Sequence, residues 1–276
     1  MKPVPFDYAR PADVPAALKL AGTGGAVKII AGGQSLGPML NLRLVQPELL
    51  IDITAIAELK RVEEKRDSLV IGSCITHADI EDGRIPDVTN GALRTVAAGI
   101  AYRAVRNRGT IGGSIVHADP SADWLSALSA LGAAAIVSGP QGTRRVPVEN
   151  FVLGVFETVL AEGEMLTGLD VPRRSRAARF GYHKLSRKTG EFAHAIGVYL
   201  DDRDSDTCRA VIGATGGAPL VFTDRGRLFR GRTVSAAALD DDYLRAAMTA
   251  GGLTDAIEQK LHLAALRRAV AKAVPS

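Results

Sequence analysis

The strongest constraint in this sequence is the stretch at residues 109–123, Gly-Thr-Ile-Gly-Gly-Ser-Ile-Val-His-Ala-Asp-Pro-Ser-Ala-Asp, where three glycines fall within five positions. Glycine has no Cβ, so its backbone reaches φ > 0 and approaches a ligand closely. Successive backbone N–H groups in such a turn form a concave anion site, and the hydroxyls of Thr110 and Ser114 add donors. A second stretch of the same character, Ala31-Gly32-Gly33-Gln34-Ser35-Leu36-Gly37-Pro38, follows a β-branched run at residues 27–30 that reads as a buried strand. Two Gly-Gly turns, each followed by a polar side chain, predict a pyrophosphate gripped from both sides. Neither turn carries G-x-G-x-x-G and no G-x-x-x-x-G-K-[ST] occurs, which excludes a Rossmann fingerprint and a P-loop.

The first stretch, with Pro38-Met39-Leu40-Asn41-Leu42-Arg43-Leu44 after it, resembles the first FAD loop of the molybdenum hydroxylase flavoprotein subunits. These are the medium chains of the carbon monoxide dehydrogenase and xanthine dehydrogenase family. Arg106-Asn107-Arg108-Gly109-Thr110-Ile111-Gly112-Gly113, with His117-Ala118-Asp119-Pro120 and Ser121-Ala122-Asp123, resembles their second FAD loop. Order, spacing and total length agree, over nearly the whole chain and more weakly towards the C-terminus.

The resemblance implies contacts to FAD from Ile29, Ile30, Ala31, Gly32, Gly33, Gln34, Ser35 and Leu36, and from Thr110, Ile111, Gly112, Gly113 and Ser114. It implies an acidic contact at Asp123, a backbone contact at Leu166 and a basic residue near the flavin at Lys184. Residues 188–193 resemble the segment that approaches the isoalloxazine ring. The sequence departs from the family at Ser114, usually Asn, and at Phe192, commonly Tyr or Trp. Serine keeps a donor and an acceptor but shortens the reach, so FAD binding is expected to survive and the flavin's positioning to change.

The implied function is electron transfer. Electrons leave a large molybdopterin subunit, pass through a small [2Fe–2S] subunit, reach FAD in this chain and go on to an external acceptor such as NAD, oxygen or a quinone. The implied assembly is a heterotrimer or a dimer of heterotrimers. No catalytic acid or base is expected in this chain, and substrate choice lies in another polypeptide. A stand-alone FAD-dependent oxidoreductase and a nucleotide-binding scaffold without redox activity stay open.

A chain of 276 residues is long enough for two domains with real cores. Hydrophobic content is 46%, yet no apolar run approaches the length of a membrane span. The first ten residues have no apolar core for a secretory signal, and a cytoplasmic location is expected. Cys74 and Cys208 are the only cysteines, and a cluster usually takes four. The net charge of +4 is mild, and the dense basic segment 173–179 lacks interleaved aromatics, which argues against nucleic acid. That segment reads as a solvated linker or partner contact, and the basic segment 103–108 as a partner contact or a solvated face.

Periodicity predicts helices at 14–21, from Thr76 with Asp79 completing a capping box, at 91–98, 124–131, 240–250 and 255–271. The last is expected to bury Ile257, Leu261, Ala264, Ala265 and Ala269. Strands are predicted at 27–30, 49–53, 59–63, 69–71, 134–137, 145–148, 164–171, 179–185, 195–200 and 209–214. The pattern fits an α+β protein: a two-lobed FAD-binding domain (PCMH/vanillyl-alcohol-oxidase-like) at 1–175, with lobes 1–54 and 55–175, then an antiparallel sheet with helices at 176–276. His77-Ala78-Asp79 and His117-Ala118-Asp119 have H-x-D spacing, but no third metal ligand stands at helical spacing, and no metal site is expected. Ser114, His117 and Asp119 offer the residue types of a hydrolase triad without a G-x-S-x-G elbow.

Overall fold

The computed structural model describes residues 2–274. The first lobe comprises β1 (Asp7–Ala9), α1 (Val14–Ala21), β2 (Val27–Ile30), α2 (Leu36–Asn41) and β3 (Leu49–Asp52), with β3 central and parallel to both neighbours. Helix α1 starts where Asp13 accepts the Ala16 N–H at 2.8 Å, satisfying a donor that has no partner within the helix. The lobe's core, Ala17, Ile51, Ile53 and Ile56, also takes in Leu59, Cys74 and Met165 from the next lobe.

The second lobe is built on β4 (Val62–Glu64), β5 (Ser68–Gly72), α3 (His77–Glu81), α4 (Ala92–Ala98), α5 (Arg103–Arg106), α6 (Ile111–His117) and α7 (Asp123–Ala130). It continues with β6 (Ala134–Gly139), β7 (Gly142–Pro147), the hairpin β8 (Val152–Gly154) and β9 (Glu157–Thr158), and β10 (Met165–Pro172). Its antiparallel sheet runs β4-β5-β10-β6-β7, with a bulge in β10 between Leu166 and Gly168. The Thr76–Asp79 capping box forms as the sequence predicts.

The remainder comprises β11 (Arg179–Leu185), β12 (Ala195–Asp202), β13 (Thr207–Gly213), β14 (Leu220–Phe222), α8 (Arg225–Leu228), α9 (Asp241–Ala250) and α10 (Ala256–Ala273). The four strands form an antiparallel meander. Alternation splits its faces: Ile196, Val198 and Val211 join the second lobe's core around α7, whereas Tyr199, Ala210 and Ile212 join a separate core with α10. The protein is thus α+β, and one hydrophobic cluster crosses the expected boundary near residue 175.

Four predicted elements need correction. The strand expected at 59–63 begins with a 3-10 turn, Glu58–Lys60, because Leu59 turns into the first lobe's core and its carbonyl accepts the Cys74 N–H. The strand expected at 145–148 runs instead over β7, and Val148 opens a second 3-10 turn. The C-terminal sheet has a fourth strand, β14, of three residues, too short to show alternation. On α10, Ala265 and Ala269 are buried as expected, but Ile257 and Leu261 face solvent, and the buried stripe is completed by Leu263, Leu266, Val270 and Ala273. The two sets share their C-terminal half, and the helix packs that half against β11 and β12.

That assignment sets an expected contrast in urea unfolding. Leu266→Ala should cost about 2–5 kcal/mol, as for a buried leucine. Ile257→Ser should stay within about 0.5 kcal/mol, as for an exposed position. Comparable losses at both would return Ile257 to the core.

Candidate functional site

Between the two lobes lies a cavity of about 540 Å³, within the usual size of cofactor sites. The β11–β12 connection reaches it through Gly190, Glu191 and Phe192. Of the residues singled out from the sequence, all line the cavity except Ile111 and Lys184. Ile111 is buried in the second lobe's core, and Lys184 lies behind the wall.

The two glycine stretches touch backbone to backbone. A Cβ on Gly32 would collide with the Arg108 carbonyl and stand 2.8 Å from the Gly109 Cα, so only glycine fits. A Cβ on Gly112 would stand 2.5 Å from the Ser73 Cβ and 2.6 Å from the Ser73 carbonyl oxygen. Gly112 therefore seats α6 against the end of β5.

The second stretch is not the anion-binding turn expected from its glycines. From Thr110 onward it enters helix α6, and its N–H groups are already used. Ile111 donates to the Ile75 carbonyl, Gly112 to that of Ser73, and Ser114 to that of Thr110, each at 3.0 Å. The Thr110 hydroxyl caps the Gly113 N–H, also at 3.0 Å. The first stretch is the opposite: among the described residues the N–H groups of Gly32, Gly33, Gln34 and Ser35 donate to nothing. Gly33 stands at φ 71°, a conformation open to glycine at no steric cost. The free donors lie on one loop, and the other loop braces it. Free donors in a cavity whose lining also includes Ile29, Ile53 and Leu166 suit a ligand with an anionic centre and flat rings. This fits the FAD implied by the sequence resemblance.

Asp123, at the first position of α7, is buried and lines the cavity. The Tyr182 hydroxyl donates to its carboxylate, and the Lys184 ammonium stands 2.9 Å from the same oxygen. Lys184 also donates to the Gly99 carbonyl at 2.9 Å. Burial, reinforced by the adjacent carboxylate, pushes the Tyr182 phenol far above its ordinary pKa, so the proton stays on tyrosine. Tyr182 was not identified from the sequence, although its i, i+2 spacing from Lys184 on a strand puts both on one face.

The histidine motifs do structural work. His77 accepts the Trp124 indole N–H through Nδ1 at 3.1 Å, and its backbone N–H donates to the Gly109 carbonyl at 2.9 Å. Burial, with Arg106 adding to it, lowers the His77 pKa from 6.5 to about 4. Asp79 completes the α3 capping box. Asp119 accepts the Ser121 N–H at 2.9 Å, and no hydrogen bond links Ser114, His117 and Asp119 among the described residues. No group of three His, Cys, Asp or Glu among the described residues could hold a metal ion.

Two outcomes follow from this packing. Gly112→Ala should destabilise the cofactor-free chain by about 1–3 kcal/mol, the cost of overpacking, in chemical denaturation; unchanged stability would make Gly112 a purely ligand-facing glycine. His77 and His262, both lowered to about 4 by burial, bind protons less well folded than unfolded. Stability should therefore fall as pH drops from about 6.5 towards about 4, by at most about 3 kcal/mol per histidine. Glu164, held at about 2 by Arg144, adds a loss only below its ordinary 4.5. His77→Gln should flatten the slope of unfolding free energy between pH 6.5 and 4.5, and an unaltered slope would contradict the assignment.

A family model described as "FAD binding domain in molybdopterin dehydrogenase" matches residues 4–174. The carbon monoxide dehydrogenase medium chain of Hydrogenophaga pseudoflava is 37% identical over 228 residues, covering 82% of this chain and 79% of that one. The nicotine 6-hydroxylase medium subunit of Paenarthrobacter nicotinovorans is 38% identical over 222 residues, 78% of this chain and 77% of that one. Among solved structures, carbon monoxide dehydrogenase from Hydrogenophaga pseudoflava superposes with TM-score 0.86 at 32% identity, covering 99% of this chain and 98% of that chain. Quinoline 2-oxidoreductase from Pseudomonas putida 86 superposes with TM-score 0.83 at 27% identity, covering 99% and 98%. Matched over both lobes by the family model and over most of its length by these medium subunits, the chain belongs to the FAD-binding subunits of the molybdenum hydroxylases: it is an oxidoreductase flavoprotein subunit, and its cofactor is FAD.

Proposed function

We propose that this chain relays electrons, taking them from a small [2Fe–2S] subunit and passing them to an external acceptor, within a complex whose large subunit carries the molybdopterin. The observation that carries this reading is how the cavity's titratable groups are used. His77 is held by Trp124, Asp123 by Tyr182 and Lys184, and Glu164 by Arg144. With the wall's two buried titratable groups, His77 and Asp123, and with Glu164 tied to protein partners, the cavity is suited to holding a cofactor rather than to proton chemistry on an organic substrate.

FAD, when bound, supplies the redox chemistry, and the protein supplies binding and electrostatics. In this reading the free N–H groups from Gly32 to Ser35 take the diphosphate, with the Ser114 hydroxyl facing them. Ile29, Ile30, Leu36 and Leu166 give apolar contact, and residues 190–192 close over the flavin. Asp123 and Lys184 act through the wall they hold together, and Ile111 acts by seating α6. The FAD-binding unit of the proposal is residues 1–175, with 176–276 supplying the closing segment. Among the described residues no helix is long and apolar enough to cross a membrane, and we place the complex in the cytoplasm.

Expressed alone, the full chain should be yellow, release FAD on denaturation and contain neither iron nor molybdenum. Isolated from its native cell, it should bring down an iron–sulfur chain and a molybdenum chain. Turnover of an organic substrate by the lone chain at ~1–1000 s⁻¹, an ordinary enzymatic rate, would replace the relay by a stand-alone oxidoreductase.

A further inference from the structure

The β8–β9 hairpin carries a residue that its own fold does not account for. Val155 and Phe156 form its two-residue tip, and Phe156 stands at φ 59° with 60% of its surface exposed. A bulky side chain at positive φ is strained, and glycine, asparagine or aspartate is the ordinary choice at such a turn. An exposed phenyl ring contributes little burial in return. Local conformation and solvation therefore both disfavour phenylalanine here.

The geometry around the ring is nonetheless well defined. The Phe156 N–H donates to the Ala118 carbonyl at 3.0 Å, and Ala118 is itself the left-handed cap of α6 at φ 54°. Two left-handed residues on facing turns thus lock the hairpin to the end of the helix that carries Gly112–Ser114. The Phe156 ring rests on the His117 imidazole, centroids 4.9 Å apart and planes tilted by 32°. Burial keeps His117 below the ordinary histidine pKa, so that ring is uncharged near neutral pH. Both rings line the FAD cavity. Leu153 and Val155 on the same hairpin are exposed too, but neither lines the cavity.

We infer that Phe156, backed by His117, is a stacking contact for one of the two flat ring systems of the bound dinucleotide. Stacked aromatic rings attract when offset or tilted at such separations. The strained tip is retained because it delivers a ring to the cavity wall, where the cofactor covers the exposed face. This inference rests on the FAD site described above and adds a residue that the sequence motifs do not mark.

The test uses the full chain stripped of cofactor, with Phe156→Gly and Phe156→Trp, titrated with FAD, ADP and FMN. Glycine removes both the ring and the strain. Phe156→Gly should bind FAD about tenfold more weakly, equivalent to ~1.4 kcal/mol, while the cofactor-free chain keeps or gains thermal stability. Phe156→Trp should restore binding. Weakening of ADP alone assigns the ring to adenine, and weakening of FMN alone assigns it to isoalloxazine; either supports the inference. Unchanged FAD affinity in Phe156→Gly overturns it, as does equal weakening of ADP and FMN, or a loss of affinity matched by a lower melting temperature of the cofactor-free chain. Failure of the wild-type chain to bind FAD would instead remove the cofactor site itself.

Discussion

Everything about the cavity depends on one contact between backbones, where Gly32 lies against the Arg108 carbonyl and the Gly109 Cα. That approach brings a loop from the parallel lobe onto a segment of the antiparallel lobe with no side chain between them. The second lobe prepares for it by using its own hydrogen bonds. His77 holds the Gly109 carbonyl, Ser73 and Ile75 hold the N–H groups of Gly112 and Ile111, and Thr110 caps the helix. A buried amide without a partner is costly, and the second lobe leaves none on this side, whereas the N–H groups of Gly32–Ser35, of which only Gly32 is buried, take no protein acceptor among the described residues. The site is thus asymmetric, with one loop presenting donors and the other fixing where they stand.

The same division reaches the C-terminal sheet. Helix α7 lies buried between the second lobe and β12–β13, and its first residue, Asp123, is clasped by Tyr182 and Lys184 from β11. Lys184 continues to the Gly99 carbonyl, beside the Ile100 and Ala101 that line the cavity. A buried carboxylate needs a compensating charge and hydrogen bonds, and here both come from the C-terminal sheet. Cavity wall and C-terminal sheet therefore cannot separate without stranding an ionised group. This gives the hydrophobic cluster that crosses residue 175 a polar counterpart.

Much of this was legible in the sequence where one local rule dominated. Asp13 and Thr76 cap the helices expected of them, and β11 spans the residues that its pattern predicts. The cavity-lining role of residues 29–36 followed from the glycine pattern and the family likeness. Helix α6 was hidden because glycines argue for a turn: two of its first three residues have poor helix propensity, and tertiary contacts to Ser73 and Ile75 override that. On α10 the expected face held at Ala265 and Ala269 but not at Ile257 and Leu261, because alanine and leucine recur on several faces and only the partner sheet selects among them. Tyr182 and Phe156 were missed for a different reason. Each acts through an atom on a distant element, Asp123 or Ala118, and sequence spacing does not report such distances.

The charged segments show the same limit for the proposed partners. By sequence, residues 103–108 and 173–179 are the basic patches. In the fold, Arg103 is bound to Glu81 and Asp82, Arg106 to Glu81, and Arg173 to Glu64. Arg174 turns inward to the Leu131 carbonyl. Such internal pairs leave little net field outside, because each cation is cancelled within one contact distance and salt screens the remainder beyond about 10 Å. The cations of these segments that form no ion pair among the described residues are Arg108, Arg174, Arg176 and Arg179, and of these Arg174 is taken up by the Leu131 carbonyl. Arg108 is the one whose backbone forms the contact with Gly32. Arg108 is exposed, so the residue whose backbone fixes the donors of the cofactor site keeps its own charge in solvent instead of pairing it within the fold.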